Sequence, residues 1–148
     1  GYGRNDLLCY RAVDSDLAEL QEYHWQPWLE WAADEFEINL KVVIGIMPVA
    51  QPDAAGFLKP LNKIDDWQLG ILHRTVSLGG SLVLGLGFLT RRLEAEQFFR
   101  TAFLDELWQN KKWGCDQEAE NRQNEIRTEL DEVGQFLHLL PAPVEALK

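Results

Sequence analysis

The sequence predicts an α+β fold that is mainly α, with two strands near the N-terminus and a helical bundle after them. Three observations carry this. The stretch Asp6–Ala12 is short and apolar, and Ile38–Val49 is rich in β-branched residues and ends near a proline, as strands do. From Trp25 onward, and again beyond Asp65, apolar residues recur at helical spacing. Prolines, glycines and capping side chains then divide the helical part into separate elements.

Taken in order, Asp6–Ala12 ("DLLCYRA") is expected to be the first strand. Asp16 and Glu19 have capping-box spacing and should start a helix, and Pro27 permits a new helix start near Trp25. Trp25, Trp28, Leu29, Ala32 and Phe36 then share one helical face, with Trp31 off it. Ile38–Val49 is the second expected strand, followed by a loop at Pro52 and a short helix interrupted at Pro60.

Asp65 should cap a long helix that begins near Asp66 and carries Leu69, Leu72, Val76, Val83 and Leu86. Its middle is unusual: from Thr75 to Thr90 there are 16 residues without a charge, glycine and serine mixed with leucine and valine. That run is shorter than the roughly 20 apolar residues of a membrane span. It lacks the lysine of a phosphate loop, and its glycines do not form the dinucleotide-binding pattern. Ser77, Ser81 and Gly85 fall four apart, so a neighbouring backbone could approach closely. Each helical glycine costs up to about 1 kcal/mol, which close packing must offset. The segment reads as a buried central helix; a partner's docking groove is the alternative.

The next helix is expected from about Arg92 to Lys112, stopping at Gly114. Ala95, Phe98, Phe99, Ala102 and Phe103 make its core face. Glu94, Gln97, Thr101, Asp105 and Gln109 make the opposite polar stripe, into which Trp108 projects. The last helix runs from about Asp116 to Leu140, with Ile126, Leu130, Val133, Leu137 and Leu140 as its seam.

The formal net charge of the 148-residue chain is −10. A field of that sign repels nucleic acid and anionic lipid, so neither is expected as a partner. Cys9 and Cys115 stand in no metal or redox spacing, which suits a reducing compartment. His24, His73 and His138 lack partners at ligand spacing, and the sequence has no HExxH, GxSxG or CxxC. No metal or cofactor is therefore expected. Of the six tryptophans, Trp25, Trp28 and Trp67 are expected in the core, while Trp108 and Trp113 flank a helix end as interface anchors would.

Five segments in order, "LCYRA" (Leu8–Ala12), "WQPWLEWA" (Trp25–Ala32), "GIMPVAQP" (Gly45–Pro52), "LHRTVSLGGSLVLGL" (Leu72–Leu86) and "LDELWQNKKWGCDQEAENR" (Leu104–Arg122), carry a resemblance. The chain resembles the assembly chaperones of the ATP synthase alpha subunit, found in mitochondria and their bacterial relatives. The resemblance implies that residues 1–50 are the remnant of a small N-terminal α+β domain, most of which is missing at an abrupt start. It implies an orthogonal helical bundle over residues 51–148. It further implies a monomeric non-enzyme without cofactor, in the bacterial cytoplasm or the mitochondrial matrix, not inserted in membrane. Its partner would be the free alpha subunit, held until the beta subunit replaces it. The family's important acidic residue precedes a Trp-Gly pair, matched here by Trp113-Gly114, and Asp105 and Glu106 are candidates for it. With Trp108 and Trp113 they form the expected partner-binding set. The residues by themselves leave open a small-molecule-binding or enzymatic helical bundle, or a structural subunit of a complex.

Overall fold

The computed structural model describes residues 5–47, 50–51 and 54–141. Among them the fold is α+β and mainly α, with seven α-helices and one two-stranded parallel sheet. Strand β1 (Tyr10–Arg11) pairs with β2 (Val43–Ile44), Tyr10 opposite Val43 and Arg11 opposite Ile44.

Both strands are shorter than the sequence predicts, for a local reason in each case. Ahead of β1, Leu7–Cys9 form a 3₁₀ turn capped by Asp6, whose carboxylate accepts from the Leu8 N–H at 3.0 Å. The turn drives Leu8 and Cys9 into the core. Beside β2, β1 offers only two residues to pair with, so the β-branched run has no longer ladder to join. At Lys41 the Gln51 amide substitutes for a strand, accepting from the Lys41 N–H at 2.7 Å and donating to its carbonyl at 3.0 Å. Pro48, Val49 and Pro52, parts of the expected strand and loop, lie outside the described residues.

Helix α1 (Ser15–Phe36) starts at Asp14, whose side chain accepts from the Asp16 and Leu17 N–H groups, and not at Asp16. It also runs unbroken through Pro27, against the expected restart. The buried positions Leu17, Gln21, Trp25, Leu29, Ala32 and Phe36 form one stripe on both sides of the proline, which sits on the exposed face. Packing along that stripe offsets the ~3 kcal/mol that an interior proline costs. Helix α2 (Leu58–Leu61) contains Pro60 rather than being interrupted by it. The proline lies in the first turn, where a missing N–H leaves no helical bond unmade.

The expected long helix after Asp65 is two helices. Helix α3 (Asp66–Gly79) opens with a capping box between Asp65 and Gln68, bonded at 2.8 and 3.0 Å. It ends at Gly80, which has φ of +75°, a left-handed conformation that glycine adopts without strain. Ser81 then caps helix α4 (Leu82–Leu89), accepting from the Leu84 N–H at 3.1 Å. Ser77, Ser81 and Gly85 therefore do not share a helix, and Ser77 is exposed. The expectation of a buried central helix holds for α4, which is buried from Val83 to Leu89. The close approach holds at Gly85: a Cβ there would lie 2.7 Å from Val76 Cγ2 and 3.0 Å from Leu72 Cδ1 of α3.

Asp6 closes the N-terminal segment onto this turn. Its second carboxylate oxygen accepts from the Val83 N–H at 3.2 Å, and the Leu7 N–H reaches the Gly80 carbonyl at 3.0 Å. The Ser81 hydroxyl and Leu82 N–H also bond the carboxylate, which is fully buried. Burial still dominates and pushes the Asp6 carboxyl above its ordinary value.

Helices α5 (Ala95–Ala102) and α6 (Leu104–Trp113) replace the single helix expected between Arg92 and Lys112. Leu93 and Glu94 precede α5, after Arg91 turns the chain with φ of +59°. The joint at Phe103 is a kink, since the Phe103 and Leu107 N–H groups still reach the carbonyls four residues back. The Phe103 ring stacks on Phe99 at 4.8 Å. Helix α7 (Gln117–Leu139) keeps close to its expected bounds and is capped by Asp116. At its other end Arg91 donates to the Leu137 and Leu140 carbonyls at 2.9 and 3.1 Å, placing a cation where the helix dipole favours one. A single buried cluster runs from Leu8 and Trp25 through α4 to Leu130 and Leu137. Trp67, expected in this core, is 66% exposed.

Candidate partner-binding site

The N-terminal half of α1 and the α5–α6 pair are clamped together by polar bonds. Trp25 Nε1 donates to the Thr101 carbonyl at 2.8 Å. Gln21 Nε2 donates to Asp105 at 2.8 Å, while Gln21 Oε1 accepts from the Ala12 N–H at 2.7 Å. Buried Gln21 thus joins the end of β1, α1 and α6 in one part-buried relay. Burial at this contact pushes the Asp105 carboxyl above its ordinary value, and the Gln21 bond opposes that only in part.

The polar stripe expected to meet water therefore lies partly against α1. Thr101 is buried and Asp105 is half-buried. Spacing alone shows that these residues share a face; it does not show that a second helix with its own polar groups covers that face.

The four expected site residues divide into three environments. Asp105 faces α1. Glu106 faces α7, held by Arg122 and by Gln123 Nε2, each at 3.1 Å, while Gln123 also accepts from Asn110. Trp108 and Trp113 come together at the end of α6, their rings edge-to-face with centroids 5.7 Å apart. Lys112 Nζ lies 4.6 Å from the Trp108 ring and 5.2 Å from the Trp113 ring, and 3.9 Å from the Asp14 carboxylate. Trp108 is half-buried, whereas Trp113 is 70% exposed.

An open groove of about 520 Å³ starts at Trp108, bounded by Asp16 and Leu20 of α1 and by Leu104, Leu107, Lys111 and Lys112 of α6, with Trp113 beside Trp108. Leu104 and Leu107 also line a second hollow of about 580 Å³, which continues along α1 past Tyr23, His24 and Trp28. Leu20 and Tyr23 were not singled out from the sequence. The available signal was their position: apolar residues on α1, three apart, off the stripe that enters the core. Among the described residues, no group of three His, Cys, Asp or Glu side chains could hold a metal ion. No helix among them is long and apolar enough to cross a membrane.

The class so defined is a mainly helical α+β domain with open, apolar, aromatic-edged grooves between its helices. Solved structures of the same shape exist. The chain is 33% identical to the Atp12 protein of Paracoccus denitrificans over 93% of its own length, with a TM-score of 0.86, and it spans 60% of that protein's chain. It matches an aspartate-to-lysine variant of the same protein with the same identity and coverage and a TM-score of 0.89. An Agrobacterium tumefaciens protein assigned provisionally as a chaperone matches at 33% identity over 92% of this chain and 52% of that one, with a TM-score of 0.81. No family model matches the sequence. The fold and the identity, sustained over nearly the whole chain, agree with the motif series and support the Atp12 assembly-chaperone family.

Proposed function

We propose that this chain is a chaperone of ATP synthase assembly that binds the unassembled alpha subunit and keeps it from aggregating until the beta subunit takes its place. The observation that carries this reading is the match to the Paracoccus Atp12 structures over 93% of the chain. The chain spans 60% of those proteins, so its share of the whole activity is part of the proposal. So are its action as a monomer without cofactor, and its place in the bacterial cytoplasm or the mitochondrial matrix.

The α1–α6 groove is the surface we assign to the client. Half-buried Trp108 at one end, with exposed Trp113 against its ring, supplies large, rigid apolar area at small entropic cost. Leu20, Leu104 and Leu107 extend that surface along the groove. Asp105 and Glu106 serve it indirectly, by fixing α6 against α1 and α7. The test is co-expression with the alpha subunit, followed by affinity capture. Free alpha subunit should stay soluble and co-purify, and assembled catalytic head should not. Equal capture of the assembled head would overturn the exchange model.

A further inference from the structure

A second apolar groove lies where α3 packs against α7. The two helices run antiparallel: Arg74 pairs with Glu129 at 2.6 Å toward one end, and the Trp67 ring meets the Phe136 ring edge-on at 5.7 Å toward the other. Between these contacts is a groove of about 510 Å³ that Ile71 and Val133 also line. Trp67 is 66% and Phe136 38% exposed. An aromatic pair placed in water adds little to the stability of the monomer, yet it is the usual composition of an interface centre.

Gly70 is an independent sign. It lies inside α3, one turn from Trp67, and lines the same groove. A Cβ built there meets no atom within 4 Å. At Gly79 and Gly85 close neighbours explain the missing side chain, and Gly80 needs its left-handed φ. Among the described residues no close neighbour offsets the helix propensity lost at Gly70, about 1 kcal/mol relative to alanine. The notch it leaves is room for a group from outside.

Charge indicates what that group is attached to. Asp66 on α3 and Glu132 on α7 line opposite walls of the groove. Neither makes an ion pair among the described residues, while the nearby cation, Arg74, is already engaged by Glu129. The groove is an apolar strip with uncompensated acid on both walls. A strip between two antiparallel helices fits a third helix lying along it.

We infer that the α3–α7 groove docks an amphipathic helix of another protein, with a bulky apolar side chain over Gly70 and Lys or Arg flanking it opposite Asp66 and Glu132. This surface is separate from the α1–α6 groove and does not depend on the client assigned there.

The probes are two labelled helical peptides with the same leucine face, one flanked by lysines and one by glutamates, followed by fluorescence anisotropy near physiological salt. The lysine-flanked peptide should bind about tenfold tighter or more. Gly70→Leu should weaken that binding about tenfold or more with no loss of melting temperature, and Trp67→Ala should weaken it similarly. Hydrogen exchange should slow over 66–74 and 129–137 when the peptide is bound. Equal affinity for the two peptides, no saturable binding, or binding indifferent to both substitutions would overturn the inference. So would sedimentation showing a self-association that Gly70→Leu abolishes, because the occupant would then be a second copy of this chain.

Discussion

Asp6→Ala should be among the most damaging single substitutions in this chain, although Asp6 lies in a short irregular segment. Its two carboxylate oxygens accept from the Leu8 N–H at 3.0 Å and the Val83 N–H at 3.2 Å, with the Ser81 hydroxyl and Leu82 N–H adding to them. The site is fully buried, so no water replaces a lost acceptor. Each backbone donor left unsatisfied costs about 1–3 kcal/mol. Two such donors, discounted for partial relaxation, give about 3–5 kcal/mol for Asp6→Ala. Asn keeps one acceptor oxygen and should cost less. Urea unfolding followed by circular dichroism measures both. A change below about 1 kcal/mol for Asp6→Ala would refute the assignment of Asp6 as the clasp of the α3–α4 turn. The pH dependence has a definite sign. Burial raises the folded-state carboxyl above its ordinary value, so ionisation costs more in the folded than in the unfolded chain. The stability that Asp6 contributes is full below the ordinary carboxylate pKa and declines as pH rises toward the raised one. The advantage of wild type over Asp6→Asn should therefore shrink as pH rises above the ordinary carboxylate range. An advantage that grows over that range would mean that the hydrogen bonds outweigh burial.

Three further outcomes follow from packing and from the assigned surface. Gly85→Leu should destabilise by roughly 1–3 kcal/mol through overpacking against Val76 and Leu72, read as a lower urea midpoint. Gln21→Ala should cost about 2 kcal/mol by stranding the Ala12 N–H and leaving half-buried Asp105 without its donor, again read by urea unfolding. Trp113→Ala should weaken alpha-subunit capture by about 2 kcal/mol in a titration while leaving the melting temperature nearly unchanged, and an unaltered affinity would remove Trp113 from the client surface.

Much of the chain was legible in its residues. The cap at Asp65, the start near Asp116 and seam of α7, and the core faces of α1 and α5 are local patterns. A helix reports its caps and its buried stripe within a few residues of sequence. The motif series pointed to the family that the solved structures then supported.

Other features depended on contacts distant in sequence, and there the residues alone misled. Pro27 can start a helix, yet α1 runs through it because one stripe packs on both sides. The segment after Asp65 keeps helical spacing across Gly80, yet the chain turns there, where Ser81 caps the second helix and Asp6, 77 residues from Val83, accepts from its N–H. The polar side chains of α5 and α6 share a face as expected, but Gln21 and Trp25 of α1 cover part of it. Trp67 looks like a core residue and stands in water beside Phe136. Periodicity states which side chains lie together on an element, because backbone geometry sets it locally. What covers that face is decided by the competition of all elements for one core, a sum over contacts that no local window contains.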